Sequence, residues 1–517
     1  MESSRLRKSS INVIASLLQN LINVFISLGS RIIFVKILNA SYLGIIGLFT
    51  NVLSILSLAD LGITTAMMYS LYKPIAENDT SKIRDLVYFF RKIYLIIAMV
   101  VFVLGIIIVP LLPYIIRLEE PISGLNGYYV LALLNVVISY LFVYRTILLT
   151  ADQKNYILSI YTIVFRIITF VGQTIVLIIF KNYFLYLFTS LIITFFGNLV
   201  QNNVTLKRYP YLKGKANKVS TEIRKKIFDN VRDLFIYKIC GTIQSNTDNI
   251  LISVMVGTIY VGYYSNYILI ISTITTLINT FFSSIKASVG NLVASDGDND
   301  DTKLLIYWVL EFINYWIVAF CTICFVCLFS DCIELFFGKE YLLSFPIVIA
   351  IVLNFYTSNI RQTIWTYRET TGIFKETRFI TAVTAIINIF LSLILGHYWG
   401  IFGIIIATVI ARMIYAWWKE PKVLFENYFK QQSSLYFKKY ISRCVITVIV
   451  CFVTWFVCNS INIKTLEIKF ALKICVCAIL PNVLMVVIFF GSKEFKYLYY
   501  RIFVPIIKKI TERTLKR

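Results

Sequence analysis

Charge is scarce in this 517-residue chain, and the scarcity sets its class. Only 15% of residues are charged and 58% are hydrophobic, with mean hydropathy +0.78. A soluble domain carries about 25% charged and 45–50% apolar residues. Long polar stretches are missing too. The two longest interruptions, Leu206–Asp233 and Trp418–Tyr440, are too short for a separate soluble domain. No folded basic domain is present, so the net charge of +23 does not point to nucleic acid. No cleavable signal peptide is expected either. The run after Arg5, Arg7 and Lys8 extends over Ser10–Leu38, beyond the 7–15 residues of a secretory core, and has no small-residue cleavage site. His397 is the single histidine, and beside Tyr398 and Trp399 it reads as interfacial.

What the chain has instead is apolar blocks. A helix needs roughly 20 predominantly apolar residues to cross the hydrocarbon core. Fourteen such spans are expected, at 11–38, 44–71, 93–116, 127–149, 157–180, 184–203, 233–257, 258–285, 304–329, 342–366, 379–397, 401–418, 443–459 and 470–491. With alternating topology, 36 of the 50 Lys and Arg fall in segments on the side of the N-terminus. Basic residues in short loops mark the cytoplasmic side, so both termini are expected there. The outer loops are short, with Asp331, Glu334 and Glu340 as their only acidic cluster. That argues against a membrane glycosyltransferase or polymerase, which needs an outer catalytic loop. The acidic run Asp296–Asp301 lacks the remaining ligands of a calcium loop and reads as a solvated turn.

The long inner segment 204–232 carries nine Lys/Arg, with Ile223, Ile227, Val231 and Leu234 at helical spacing. This predicts a basic amphipathic helix on an anionic leaflet. It also divides the chain into residues 1–203, a first lobe of six spans; 204–232, a linker; 233–418, a second lobe of six; and 419–517, two further spans and a basic tail. An internal echo supports the division. Leu38–Gly44 matches Val256–Gly262, and Thr150–Lys154 matches Thr371–Lys375, at offsets of 218 and 221 residues. Both halves start on the same side, so the repeat is parallel.

Of the ten cysteines, Cys321, Cys324 and Cys327 have Cys-x-x-Cys-x-x-Cys spacing inside an apolar helix, and Cys451 and Cys458 are similarly embedded. Buried free cysteine behaves as a small hydrophobe. Packing is the expected role, with no metal.

Four charges lie well inside spans: Arg31, Asp60, Arg166 and Asp248. Each costs roughly 2.5–3.5 kcal/mol at mid-bilayer on insertion scales, so they must face one another, a wet cavity, or both. Ser16, Asn20, Asn23, Ser27 and Arg31 share one face of the first span. Lys238, Thr242, Ser245, Asn249 and Ser253 do the same in the seventh, with Asp248 alongside. Two equivalent polar-faced helices suit a central cavity, although Ser and Asn also join membrane helices by hydrogen bonds. Arg145, Lys238, Arg361 and Arg412 near inner span ends either snorkel to headgroups or line a vestibule for a phosphate.

Two stretches are similar to a known family. Arg31–Met67, with Leu43-Gly44 and Ala59-Asp60-Leu61-Gly62-Ile63, resembles the opening of the bacterial polysaccharide (Wzx-type, O-antigen/capsule) flippases of the MOP superfamily. Thr247–Ser253 and Val261-Gly262-Tyr263-Tyr264 resemble that family's seventh and eighth spans. The resemblance implies an all-α integral membrane protein, two six-helix lobes around a central cavity plus two C-terminal helices. It implies flipping of undecaprenyl-pyrophosphate-linked oligosaccharide across the bacterial cytoplasmic membrane, with polysaccharide polymerase and glycosyltransferases as partners. Arg31 matches the family's pyrophosphate-facing arginines by position. Arg166, Arg145, Arg361 and Arg412 follow from the charge argument. No cofactor is expected. Asp60 and Asp248 either hold a coupling H+ or Na+ or pair with arginines. The rival reading is a MATE-like cation-coupled exporter of drugs or small solutes, which would have an acidic cavity.

Overall fold

The computed structural model describes residues 2–38, 40–57, 63–116, 122, 124–225, 227, 246–294, 300–371, 373 and 377–500. All regular structure among them is helical. Among the described residues, ten helical stretches are long and apolar enough to cross a membrane. The chain is therefore an all-α, multi-pass membrane protein. Five of the fourteen expected spans do not stand among the ten as separate stretches. Span 44–71 becomes two shorter helices, with residues 58–62 outside the described set. Span 233–257 is described only from 246. Span 342–366 is broken, and spans 379–397 and 401–418 form one stretch, Phe379–Phe429.

Two compact units share the chain, Met1–Leu269 and Ile270–Arg517, and the division falls within a helix. The first unit holds α1 (Glu2–Ile37), α2 (Ala40–Leu56), α3 (Ile63–Ala76), α4 (Thr80–Ile108), the short α5 (Leu112–Ile115), α6 (Leu125–Ala151), α7 (Asn155–Phe180), α8 (Tyr183–Arg208), α9 (residues 246–255) and the start of α10 (Thr258–Ala294). Helix α6 packs on α4 and α8, and α7 packs on α1 and α8. Asp79 caps α4: its carboxylate accepts from the Lys82 amide at 3.0 Å and the Ser81 hydroxyl at 2.7 Å.

The described part of the basic segment 204–232 meets the start of α4. The Asn217 amide donates to Asp85 Oδ1 at 2.8 Å, and the Arg224 guanidinium stands over the Phe89 ring, 5.7 Å from its centroid. Ile227 is buried. Val231 and Leu234 lie outside the described residues.

The second unit holds α11 (Asp300–Phe336), α12 (Phe345–Asn359), α13 (Gln362–Thr371), α14 (Arg378–Ala411), α15 (Trp417–Leu424), α16 (Ser434–Asn459), α17 (Leu466–Phe489) and α18 (Lys493–Leu498). Helix α14 is a hairpin. Asn388 Nδ2 donates to Thr408 Oγ1 at 2.7 Å, whereas twenty residues of straight helix would separate them by about 30 Å. The reversal occurs at Gly400, whose φ of 55° and ψ of −133° suit a residue without Cβ. The break between α12 and α13 frees backbone carbonyls in an apolar setting. Asn314 Nδ2 meets two of them, Asn359 O at 3.0 Å and Ile360 O at 2.9 Å. Irregular backbone at membrane depth is tolerated where protein supplies such partners.

Helix α16 shows how lipid inverts the usual amphipathic pattern. Its buried side carries Tyr436, Tyr440, Arg443, Thr447 and Thr454, while Val445, Val448, Ile449, Phe452 and Phe456 point outward. Polar groups find partners only inside the bundle.

Candidate functional site

The polar stripe of α1 lies on the side opposite its exposed apolar residues. Leu18, Leu21 and Phe25 are exposed; Asn20, Asn23, Ser27 and Arg31 are half-buried on the other face. Asn23 Oδ1 is buried and makes no hydrogen bond among the described residues. Where the stripe ends, Arg31 Nε donates to Asn266 Oδ1 at 2.9 Å and its Nη2 donates to Ser265 Oγ. The first span is thereby tied to the start of α10.

Arg166 enters from α7. Exposed Ile160, Val164, Ile167, Ile168, Val171 and Ile175 form that helix's apolar face. Arg166 is exposed as well, but on the opposite face. Among the described residues it forms no hydrogen bond or ion pair. Tyr186 on α8 lies within electrostatic reach of both Arg31 and Arg166. Tyr186 also stacks with Tyr183, which in turn touches Tyr128 and Tyr42, with centroids 4.9 to 6.1 Å apart. Two cations and a row of phenols thus come together in the first unit.

Asp248 on α9 is buried, with Tyr264 within electrostatic reach. Asp248 and Arg31 therefore address consecutive residues of one turn of α10: Tyr264, then Ser265 and Asn266. The first residue of α10 is held by Ser253, whose hydroxyl pairs with Thr258 Oγ1 at 2.9 Å and donates to Ile115 O at 2.6 Å. Arg145 is apart from this group. It joins α6 to α8 by donating to Asn202 Oδ1 at 2.9 Å. Asp60 and Lys238, with Thr242 and Ser245 and the side chain of Ser16, lie outside the described residues.

In the second unit the two remaining arginines have structural partners. Arg361 stands at the α12–α13 break, 6% exposed, with Nη1 2.9 Å from Glu420 Oε2. Trp365 Nε1 donates to the same oxygen at 3.2 Å. Arg412 donates to Asn354 O, Asn354 Oδ1 and Thr357 Oγ1 at 3.2, 3.0 and 2.7 Å. Both side chains are desolvated rather than snorkelled to headgroups.

Several partners have no place in the sequence reading. Ser265, Asn266 and Tyr186 are among them; a Ser-Asn pair inside an apolar helix is the signal that marks the first two. The count of four charges inside spans also needs correction. Glu311, 2% exposed on α11, pairs with Arg443 of α16. A lone acid in an apolar run is legible, but its partner sits more than a hundred residues away at a span edge.

At the level of sequence, no family profile and no curated protein matches the chain. Solved structures do match in fold. The lipid II flippase MurJ in an inward closed conformation aligns with TM-score 0.67 at 16% identity, covering 92% of this chain and 98% of that one. A multidrug resistance MATE family transporter of the MOP superfamily, inward-facing, aligns with TM-score 0.56 at 15% identity over 77% of this chain and 91% of its own. A MOP superfamily transporter from Pyrococcus furiosus, described as having a binding pocket of reverse polarity, aligns with TM-score 0.55 at 12% identity over 82% and 96%. The chain has the MurJ/MATE-like fold.

Proposed function

We propose that this chain is a flippase that moves undecaprenyl-pyrophosphate-linked oligosaccharide units across the bacterial cytoplasmic membrane for surface polysaccharide synthesis, by alternating access. The observation that carries the reading is the pair Arg31 and Arg166, both within electrostatic reach of Tyr186 inside a membrane-spanning unit. Like charges gathered in a low dielectric repel. A pyrophosphate between them offsets that repulsion and uses the bidentate fork of each guanidinium. Asn20, Asn23 and Ser27 offer amide and hydroxyl groups to sugar hydroxyls, and the tyrosine row offers ring faces. For the polyprenyl tail, the second unit has an apolar cavity of about 710 Å³ lined by Val326, Phe345, Val352, Ile410, Val448 and Trp455. The protein acts as a transporter, not an enzyme, with both termini in the cytoplasm and with polymerase and glycosyltransferases working on either side of its step. Asp248 is the candidate seat of a coupling H+ or Na+.

The test is polysaccharide export in a bacterial cell that relies on this protein. Arg31→Ala or Arg166→Ala removes charge-assisted hydrogen bonds of about 1.5–3 kcal/mol, so export falls roughly tenfold or more at unchanged protein level. Undiminished export in the double variant overturns the binding role. Asp248 supports a second reading, a cation-coupled exporter of drugs or small solutes. Under it, Asp248→Asn abolishes tolerance to cationic compounds while polysaccharide export is untouched.

A further inference from the structure

Three cysteines from three helices meet in the core of the second unit. Cys327 of α11, Cys458 of α16 and Cys477 of α17 have their sulfurs within 4.8 Å of one another, and the Cys458 and Cys477 sulfurs are 3.8 Å apart. Cys458 and Cys477 are each 1% exposed and Cys327 is 7% exposed, and Ile323 and Val450 pack around them. Cys324, one turn before Cys327, lies within hydrogen-bonding reach of Cys477.

We propose that this thiol cluster binds one Cu(I) ion, which staples the C-terminal helix pair α16–α17 to α11. Four considerations support the assignment. Three sulfurs at about 2.3 Å from a central ion in one plane are about 4.0 Å apart, inside the spread seen here. Thiolates select soft metals, and Cu(I) is among them. Cys324 reaches Cys477 but is not among the three sulfurs that lie within 4.8 Å of one another, so the core matches a three-coordinate ion, whereas a structural zinc takes four ligands, and Ile323 and Val450 make the packed neighbours apolar. A cationic neighbour stands beside the site. Lys473, one turn before Cys477 on α17, pairs with Asp331, one turn after Cys327 on α11, and Lys469 Nζ adds a second cation 3.7 Å from the same carboxylate. Three thiolates around Cu(I) carry excess negative charge, and the two lysines outweigh the single carboxylate between them.

Binding is simple exchange. Three S–H protons leave to water, three Cu–S bonds form, and neither copper nor sulfur changes oxidation state. Packing alone would leave three weak S–H donors facing one another without such a role.

The experiment uses the full-length protein in detergent, without oxygen and with a phosphine reductant. Copper is offered as its bicinchoninate complex. The expected result is transfer of about one Cu(I) per chain with sulfur as the sole scatterer in the X-ray absorption spectrum. Cys327→Ser and Cys477→Ser each weaken uptake roughly a hundredfold or more, while Cys475→Ser, exposed on the same helix, leaves it unchanged. A measurement free of variants accompanies these. In the unaltered protein, copper shields Cys327, Cys458 and Cys477 from alkylation in partly unfolding detergent but does not shield Cys475. Uptake unaltered in both core variants, nitrogen or oxygen scatterers, preference for Zn(II), absence of shielding, or a Cys458–Cys477 disulfide that blocks metal would each overturn the proposal.

Discussion

Glu420→Gln is the most informative single change in the second unit. The carboxylate serves two donors: Arg361 Nη1 at 2.9 Å and Trp365 Nε1 at 3.2 Å. Arg361 and Glu420 are 6% and 4% exposed, so water cannot replace what is lost. The amide keeps the shape but leaves a buried guanidinium without its counter-charge. Removing one partner of a buried pair destabilises by about 3–5 kcal/mol. For a unit of this size that lowers the unfolding midpoint by on the order of 10 °C. Removing both charges is different, since a buried pair replaced by apolar residues of similar volume is often neutral. The double variant Arg361→Met/Glu420→Met therefore recovers most of the loss. Heating detergent-solubilised protein and following the surviving peak by fluorescence-detected size exclusion measures all three. A Glu420→Gln midpoint within about 2 °C of the parent, or a double variant as weak as the single one, would refute the reasoning. The same double variant separates two roles for Arg361. Export retained at normal protein level makes it a holder of the α12–α13 break; export lost from a well-folded variant places it on the substrate's route.

Two further outcomes follow from the first unit. Gly44→Ala puts a methyl group 2.1 Å from Thr258 O; backbone cannot rotate away, so α2 and α10 must part and the thermal midpoint falls by several degrees, whereas an unchanged midpoint would show the approach to be loose. Asp79, held by the Lys82 amide, the Ser81 hydroxyl and the Lys82 ammonium, has its carboxyl lowered to about 2. A lowered folded-state pKa means that the cap contributes fully above the ordinary carboxylate range and is lost as pH falls through about 2. Amide exchange at Lys82 is then protected from pH 8 down to about 4 after correction for intrinsic rates. Loss of protection already at pH 5 would contradict the cap.

The membrane character and most of the span pattern were legible because hydropathy is additive along the chain. Each apolar block reports on itself, whatever it packs against. The same is true of the stripe Asn20, Asn23, Ser27 and Arg31, whose shared face follows from helical periodicity alone. The apolar runs 379–397 and 401–418 read as two spans on the same ground, and the reversal between them falls at Gly400. Breaks inside a block are different. Span 342–366 looks continuous, yet it divides at Ile360–Arg361, because Asn314 of another helix meets the freed carbonyls.

Partner choice was the part that linear reading could not reach. An arginine in an apolar run must be compensated, but its cost is the same whether the partner is a lipid phosphate, a substrate or a distant carboxylate. Arg361 and Arg31 look alike on that scale. The fold separates them: one is closed against Glu420, and the other stands with Arg166 around Tyr186. The three core cysteines make the same point, since α11, α16 and α17 meet only after the chain has folded back over some 150 residues. By itself the sequence determined that charge inside these helices had to be answered, because the hydrocarbon phase leaves no alternative. Which group answers each charge was decided by helix packing alone, since electrostatic compensation depends on distance in space and not on distance along the chain.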